Sequence, residues 1–527
     1  MKYNKFLYTA IGMGLMLTSC DDFLDKVPDN RAELNTSEKV TKILVAAYPQ
    51  NNSIVMAEMA SDNAMDNGSL YTVEDKMQEE SYLWSPITTQ GNDSPQNFWD
   101  GCYLAVATAN QALAAIDELG NPANMQAQRG EALLCRAWGH FLLANIFCQA
   151  YSPETANNVL GLPYSEAPET EVKPDYQRGT LAELYAKIEK DIEEGLPLIN
   201  DEIYTVPKYH FNRKAAYAFA ARFYLYYQKW DKVIEAANVV LGNTPQTMMR
   251  DWKAIYNMPS NFESRCNAYV SASSPANLLL QTAYSSMVYW LGPYSLSQRY
   301  GHNHSYIAKK ETYRTAGIWG EYNSGTDLFM GGSCWGMEQK LYYSKYYGYF
   351  EYTDKVNGIG YRRNVIAMLT APETLLCRAE AYAVKKDYAN ALADINTWLE
   401  ANSKSGIQVT ADDVVNVYGN MNYMEDENGN PIVAGDNGTP KKRLNPSGFS
   451  IESGMQENFI HCILHMRRCE TMADGLRWQD IKRYGIEIAH NREGLAPDIL
   501  KKDDLRRAFQ LPADVIDAGL QANPRND

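Results

Sequence analysis

The sequence predicts a mainly α-helical protein: a scaffold of tetratricopeptide-like helical hairpins with long loop-rich insertions and a few short β-hairpins. In nine segments, apolar and small residues recur at three- and four-residue spacing, which is the pattern of a helix with one buried face. These segments are 38–50, 96–119, 126–150, 178–199, 213–228, 231–241, 372–385, 388–400 and 455–473. They place the scaffold at about 96–241 and 371–485.

Two of the helical blocks repeat each other. Five positions match at a distance of 158 residues: Ala221 and Ala379, Tyr224 and Tyr382, Trp230 and Tyr388, Asn238 and Asn396, and Leu241 and Leu399. Each block has a helix, a tight break and a second helix, which is the arrangement of tetratricopeptide hairpins. Because the two blocks are widely separated, we expect a scaffold with insertions rather than a regular solenoid.

The insertions are rich in residues that form turns and binding surfaces. Residues 50–95 and 242–370 contain many Tyr, Trp, Gly, Ser and Asn residues with weak periodicity. Residues 402–454 contain turn signals such as Asn428-Gly429, which predict surface hairpins. Long loops in a compact protein usually carry function, so residues 242–370 are predicted to form a loop-rich ligand-binding subdomain.

The N-terminus has the pattern of a lipoprotein signal. Lys2 and Lys5 precede an apolar run from Phe6 to Leu17 that is too short to span a bilayer. The run ends in Thr18-Ser19-Cys20, so residues 1–19 are predicted to be a signal peptide and Cys20 the lipidated residue. Residues 20–40 would be the tether and 41–527 one body; an ordinary cleaved signal is the alternative.

Charge and cysteine usage exclude some classes of protein. The chain has 49 Lys and Arg against 64 Asp and Glu, a net charge of −15, which argues against a nucleic-acid partner. Nine cysteines occur, without a Cys-x-x-Cys pair. Five lie in apolar helical patterns and are predicted to be buried free thiols rather than disulfides: Cys135, Cys148, Cys377, Cys462 and Cys469.

No catalytic or metal-binding motif stands out. His461 and His465 lie four residues apart on a predicted helix, but Cys462 follows His461 where a zincin would have a general-base glutamate. His302 and His304 could chelate a metal in a loop. The alternative for these two histidines, and for His461 and His465, is a structural role. The sequence predicts no catalytic residue, no metal and no cofactor.

The chain resembles the SusD/RagB family of outer-membrane nutrient-binding lipoproteins over nearly its whole length. The resemblance is carried by Cys20-Asp-Asp-Phe-Leu, Arg136-Ala137, Gly161-Leu-Pro-Tyr, Arg178-Gly-Thr, Cys377-Arg-Ala-Glu-Ala-Tyr382, Arg467 to Gly485 and Leu511-Pro512. The stretch from Arg467 to Gly485 is the most specific. Its charged residues are predicted to form structural ion pairs around a helix break at Gly475; a catalytic cluster is the alternative.

The resemblance implies a function. Members of this family bind glycans, or in some cases peptides, at the bacterial surface and act as a lid on a SusC-like TonB-dependent β-barrel transporter. We therefore expect a lipid-anchored outer-membrane protein, facing the cell exterior, that captures a glycan and is not an enzyme. The first alternative is peptide capture, and the second, less favoured one is a surface glycoside hydrolase.

Two loop regions have the residue types that bind sugars, which need flat aromatics for C–H faces and polar groups for hydroxyls. The first gives Asp66, Asn67, Tyr71, Tyr82 and Trp84. The second gives Tyr289, Trp290, Tyr294, Arg299, Trp319 and Trp335. The alternative for each ring is core packing beneath a loop, and the tryptophans on helical patterns are assigned to the core: Trp99, Trp138, Trp230, Trp398 and Trp478.

Overall fold

The computed structural model describes residues 34–73, 75–169, 176–293, 298–330, 333–334 and 341–525. The predicted signal segment 1–19 and Cys20 lie outside these residues. The helices are α1 Ser37–Leu44, α2 Ile54–Ala60, α3 Lys76–Tyr82, α4 Pro95–Glu118, α5 Gln126–Phe147, α6 Leu181–Gly195, α7 Arg213–Tyr226, α8 Trp230–Leu241, α9 Trp252–Asn257, α10 Phe262–Tyr269, α11 Met287–Leu291, α12 Ala371–Val384, α13 Tyr388–Asn402, α14 Ala411–Gly419, α15 Met455–Glu470, α16 Arg477–Arg483 and α17 Ala513–Asp517. The mainly helical fold is thus confirmed.

The strands are short, with one exception. They are β1 Met65–Asp66, β2 Asn277–Tyr284, β3 Tyr300–Gly301, β4 Ser333–Cys334, β5 Leu341–Tyr342, β6 Tyr349–Asp354, β7 Ile359–Thr370, β8 Ile488–Arg492 and β9 Leu495–Leu500. The order β2-β7-β6 makes an antiparallel sheet, and β1-β3, β4-β5 and β8-β9 are two-stranded pairs. The 12-residue β7 lies in the region with weak periodicity and runs directly into α12, whose N-cap is Thr370.

The two repeated blocks fold alike. Helices α7 and α8 form one hairpin, and α12 and α13 form the other; α8 also packs on α12. The break in each hairpin contains one residue with positive φ, Gln228 at 61° and Lys386 at 64°. These residues are 158 positions apart, the spacing of the sequence repeat.

The core contains most of the tryptophans that the helical pattern assigned to it. Trp138, Trp398 and Trp478 are fully buried and Trp99 is buried, whereas Trp230 is half-buried. All five cysteines predicted to be buried free thiols are so, as are Cys102 and Cys266. Within the described ranges, no helix is both long and apolar enough to cross a membrane.

The charged stretch after Arg467 forms buried ion pairs, as predicted. One group joins Arg467 and Arg483 to Asp480 and Glu380, with N–O distances from 2.7 to 3.7 Å. A second group surrounds Asp62: its carboxylate lies 2.8 Å from Arg477, 2.7 Å from Lys442 and 3.4 Å from Arg468. Burial alone would raise the pKa of Asp62, but these cations hold it well below its usual value. The first group fixes α15 and α16 to α12, and the second fixes them to the segment that follows α2.

The segment 402–454 differs from the expected set of surface hairpins. It contains α14, an isolated bridge between Glu425 and Pro431, and a bridge from Ser403 to Leu328 outside the segment. Asp426 accepts hydrogen bonds from the backbone of Asn428 and Asn430, both at 2.8 Å, and thereby closes the predicted turn. The polar turn residues fold here without forming extended strands.

Candidate functional site

The two loop regions that the sequence singled out meet in the structure. Strand β1 pairs with β3, placing Asp66 opposite Tyr300. Arg299 donates two hydrogen bonds of 2.7 Å to the Asp66 carboxylate. The Asn67 side-chain amide donates to the Arg299 carbonyl at 3.0 Å. Three of the predicted polar residues are therefore neighbours that hold the loops together.

The charges of Asp66 and Arg299 compensate each other. Burial tends to raise the pKa of Asp66, but hydrogen bonds from Arg299 and from the backbone of Gly68 and Glu493 outweigh it and lower that pKa. The hydrogen bonds to Asp66 raise the pKa of Arg299. This ion pair stabilises the junction between the two loop regions.

The aromatic residues of the first loop region pack inward. Tyr82 is fully buried, and its hydroxyl donates to the Asn491 side chain at 2.7 Å. The ring of His490 stacks on Tyr82 at 4.1 Å and on Trp84 at 4.2 Å. The Trp84 indole donates to the Ala60 carbonyl at 2.8 Å. The structure thus places both rings as the core-packing alternative describes, while Tyr71 is half-buried.

The second loop region is mostly buried too. Trp319 is fully buried, 6.1 Å from the Trp398 ring and 4.6 Å from the His465 ring. Trp290 is 8% exposed, and the Arg362 guanidinium lies over the ring of the half-buried Tyr289 at 4.2 Å. Tyr294 and Trp335 lie outside the described residues. Ligand contact by any of these residues stays a prediction.

Two of the histidines considered as metal ligands, His302 and His465, contact protein groups. His465 contacts the Tyr418 hydroxyl at 3.0 Å and the Thr312 carbonyl at 3.2 Å, and burial lowers its pKa to about 3. His302 lies 3.1 Å from the Glu58 carboxylate. Within the described part of the chain, no group of three or more His, Cys, Asp and Glu side chains could hold a metal ion.

A groove of about 200 Å³ opens between α9, α10, the segment 313–330 and the end of α15. Three of its aromatic residues reach solvent: Tyr256 is 50% exposed, Tyr322 is 41% exposed and Phe329 is half-buried. The rings of Tyr256 and Phe329 are 5.7 Å apart. Trp252 and Tyr343 are buried beneath them.

Local structure explains how these rings are presented. Asp251 caps α9 by accepting from the Ala254 amide at 2.8 Å. Helical spacing then turns Trp252 and Ile255 toward the core and Tyr256 outward. Tyr322 lies in a turn beside Asn323, whose φ is 62°, a conformation that asparagine tolerates better than most residues.

In the described lining of the groove, every charged side chain is a cation: Arg265, Arg314, Lys345 and Lys404. Lys404 pairs with Asp327 at 2.7 Å and Lys345 with Asp474 at 3.1 Å, and neither carboxylate lines the groove. The Arg314 guanidinium lies 4.8 Å from the centre of the Tyr322 ring.

This chemistry suits binding. Glycoside hydrolysis needs two carboxyl groups on either side of the scissile bond, and the described lining of the groove supplies neither a carboxylate nor a histidine. It supplies flat aromatic faces, hydrogen-bond donors and an apolar floor, which can orient a ligand.

The groove residues were missed by sequence reasoning. Tyr256 follows two apolar residues at helical spacing in a region without a long helical pattern, so its side chain carried no separate signal. Tyr322-Asn323-Ser324-Gly325 combines an aromatic with turn residues, and this combination could have identified Tyr322.

Comparison with known proteins agrees with the fold. Residues 22–225 match a model of SusD-like proteins described as starch-binding and associating with the outer membrane. No curated protein sequence matches the chain.

Solved structures share the fold over nearly the whole chain. A SusD superfamily protein from Bacteroides fragilis is 16% identical, with a TM-score of 0.63, over 92% of this chain and 99% of its own. A SusD superfamily protein from Bacteroides thetaiotaomicron is 18% identical, with a TM-score of 0.61, over 94% and 100%. A putative sugar binding protein from Bacteroides vulgatus is 17% identical, with a TM-score of 0.63, over 94% and 99%. The chain thus resembles SusD-like proteins by its sequence over residues 22–225 and shares the fold of SusD superfamily structures over nearly its whole length.

Proposed function

We propose that the protein captures an extracellular oligosaccharide or polysaccharide in the groove and delivers it to a SusC-like TonB-dependent transporter. The observation that carries the proposal is the pair of solvent-accessible rings, Tyr256 and Phe329, above an apolar floor. The family description, starch-binding and associating with the outer membrane, supports the same class of ligand and the same compartment.

The physical argument starts from the two kinds of surface on a pyranose ring. Its C–H face is apolar and packs against an aromatic ring, while its hydroxyls at the edge need hydrogen-bond partners. Tyr256 and Tyr322 supply exposed faces, and Asn323 and Ser344 supply polar groups along the same groove. A site of this kind holds a sugar in one orientation.

We further propose that the bound glycan is released unchanged. The described groove lining contains no carboxylate, and Asp327 and Asp474, which lie outside it, are paired with its lysines. We therefore expect no turnover of a bound oligosaccharide.

The proposed delivery requires attachment to the outer membrane. We infer that residues 1–19 are removed and that Cys20 is lipidated, because the apolar run and the small residues before Cys20 fit a lipoprotein signal. The full chain and a Cys20→Ala variant should differ in membrane fractionation, with only the former retained. Co-purification of a β-barrel transporter with the lipidated form would support the proposed partner; its absence under cross-linking would contradict it.

Binding at the groove is tested by isothermal titration of the soluble body, residues 34–527, against panels of glycans and peptides. Tyr256→Ala should weaken glycan binding by about tenfold, because one stacking face is lost. Tyr352→Ala is the matched control, since Tyr352 is 52% exposed and does not line the groove. Binding of peptides alone would favour peptide capture, and cleavage of a bound oligosaccharide would favour a glycoside hydrolase.

A further inference from the structure

We propose that the groove selects an anionic glycan, one whose sugars carry carboxylate or sulfate groups. This inference rests on the proposed function and names the ligand class of the same site. It starts from a contrast in charge: the whole chain has a net charge of −15, yet Arg265, Arg314, Lys345 and Lys404 are the charged residues of the described lining.

Two of the four cations already have a carboxylate partner. Lys404 pairs with Asp327, whose side chain is 1% exposed, and Lys345 pairs with Asp474. These pairs are close to neutral as units. Arg265 differs from both lysines in this respect.

Arg265 has no ion pair with any described residue. One of its terminal nitrogens donates to the Met258 carbonyl at 2.8 Å, and its Nε is buried without a hydrogen-bond partner in the described structure. Carbonyl contacts orient the guanidinium but leave its charge uncompensated. A ligand carboxylate or sulfate in the groove would compensate it.

Arg314 is placed to act with an aromatic ring. Its guanidinium lies 4.8 Å from the centre of the Tyr322 ring and 5.9 Å from that of Tyr313. The planar fork of arginine matches the oxygens of carboxylate and sulfate groups. A charged sugar can therefore pack its ring on an aromatic residue while its anionic group reaches an arginine.

The net charge of the chain confines an anionic ligand to this groove. An acidic protein repels polyanions over most of its surface, so an anionic chain is attracted only where cations are concentrated. A neutral glycan would leave the charge of Arg265 unpaired when the groove excludes water. The same groove thus favours the anionic ligand over a neutral one of equal shape.

The experiment compares matched sugars on the soluble body. Oligogalacturonate provides carboxylates, its carboxyl-reduced derivative provides the same linkages without charge, and carrageenan oligosaccharides provide sulfates. Titration calorimetry between 50 and 300 mM NaCl should give at least about tenfold tighter binding for a charged glycan than for the neutral one. Affinity for the charged glycan should fall as salt rises.

Variants connect this preference to the arginines. Arg265→Gln should lower the affinity for the charged glycan by about tenfold and flatten its salt dependence. Arg314→Gln is the second variant if Arg265→Gln does not fold, and Arg492→Gln, at an exposed arginine outside the groove, is the control. The charged glycan that binds, with carboxylates or with sulfates, identifies the anionic group that the groove prefers.

The outcomes separate this inference from the proposed function. The anionic selection would be overturned if a neutral glycan bound with salt-independent affinity, and if its binding were weakened by Tyr256→Ala but not by Arg265→Gln. Glycan capture itself would still be supported by this result. Anionic binding that survives both Tyr256→Ala and Arg265→Gln would also overturn the anionic selection. Failure of every glycan, charged or neutral, to bind would overturn the proposed function itself.

Discussion

Arg299 and Asp66, 233 residues apart in the chain, are joined by two hydrogen bonds of 2.7 Å. Each lies in one of the two loop regions that sequence patterns marked as ligand-binding, and each is paired with the other within the protein. The Asp66 side chain is 2% exposed and that of Arg299 is 22% exposed. Side chains with the chemistry of a sugar site here serve to hold two loops in register.

Arg299→Ala should therefore destabilise the fold. The variant leaves a nearly buried carboxylate without its cation, at a cost of about 1–3 kcal/mol in the free energy of unfolding. Because the pKa of Asp66 is lowered in the folded state, the contribution of the pair is present above the ordinary pKa of aspartate and is lost as the pH falls below it. Chemical denaturation at pH 7 and pH 3 measures both effects, with exposed Arg492→Ala as the control. An unchanged stability at pH 7 would contradict a structural role for this pair.

Trp319→Ala should affect stability more than any exposed ring of the groove. The Trp319 indole is fully buried against Trp398 and His465, and truncation of such a side chain costs about 3–5 kcal/mol. Tyr256→Ala, at a residue that is 50% exposed, should leave the melting temperature almost unchanged. Differential scanning calorimetry compares the two, and a stable Trp319→Ala protein that has lost ligand binding would instead place this ring in the site.

Arg467→Met should destabilise the protein by about 3–5 kcal/mol, because it unbalances a buried ionic cluster. Arg467 is fully buried and lies 3.3 Å from Asp480, 3.7 Å from Glu380 and 3.6 Å from Glu373. These carboxylates would lose a shared cation. Arg443→Met is the matched control, since the Arg443 side chain is 56% exposed in its pair with Glu425 and such pairs contribute less than about 1 kcal/mol. Equal unfolding midpoints for the two variants would refute this assignment.

Asp93→Asn should change how stability depends on pH. Burial raises the pKa of Asp93 to about 6, even though the Ser285 hydroxyl and the Ser286 amide donate to its carboxylate. The folded chain thus keeps this proton to a higher pH than the unfolded chain, and Asp93 makes the free energy of unfolding fall as the pH rises from about 4 to about 6. The variant lacks this proton, so its stability relative to the natural chain should rise over that range by about 1–3 kcal/mol. A constant difference from pH 4 to pH 7 would contradict the shifted pKa.

The helical scaffold could be predicted because its signal is local. Small and aromatic residues at helical spacing located α7, α8, α12 and α13, and the repeat interval of 158 residues reappears in the breaks at Gln228 and Lys386. One relationship between the two blocks could not be predicted from the sequence, because the residues of each network lie on three different helices. Arg136 donates to Asp191 and Asn110, and Arg378 donates in the same way to Asp394 and Asn238.

The groove could not be predicted because its residues come from distant segments. Sequence reasoning favoured tryptophans in loops, since they offer the largest stacking faces, but large apolar rings are also the ones that folding buries most effectively. Trp84 and Trp319 are buried, while the less conspicuous Tyr256 and Tyr322 reach solvent. Only the packing of α9 against the segment 313–330 distinguishes one group from the other.

Seven cysteine sulfurs lie inside the protein without a disulfide among them, and burial raises the pKa of each, to about 11 for Cys148 and about 12 for Cys462. A thiol that stays protonated and enclosed reacts with neither oxidants nor alkylating reagents. Modification therefore requires local unfolding of the segment around a given sulfur. The rate at which each cysteine is alkylated under native conditions reports how often that part of the scaffold unfolds, with natural probes distributed from α4 to α15.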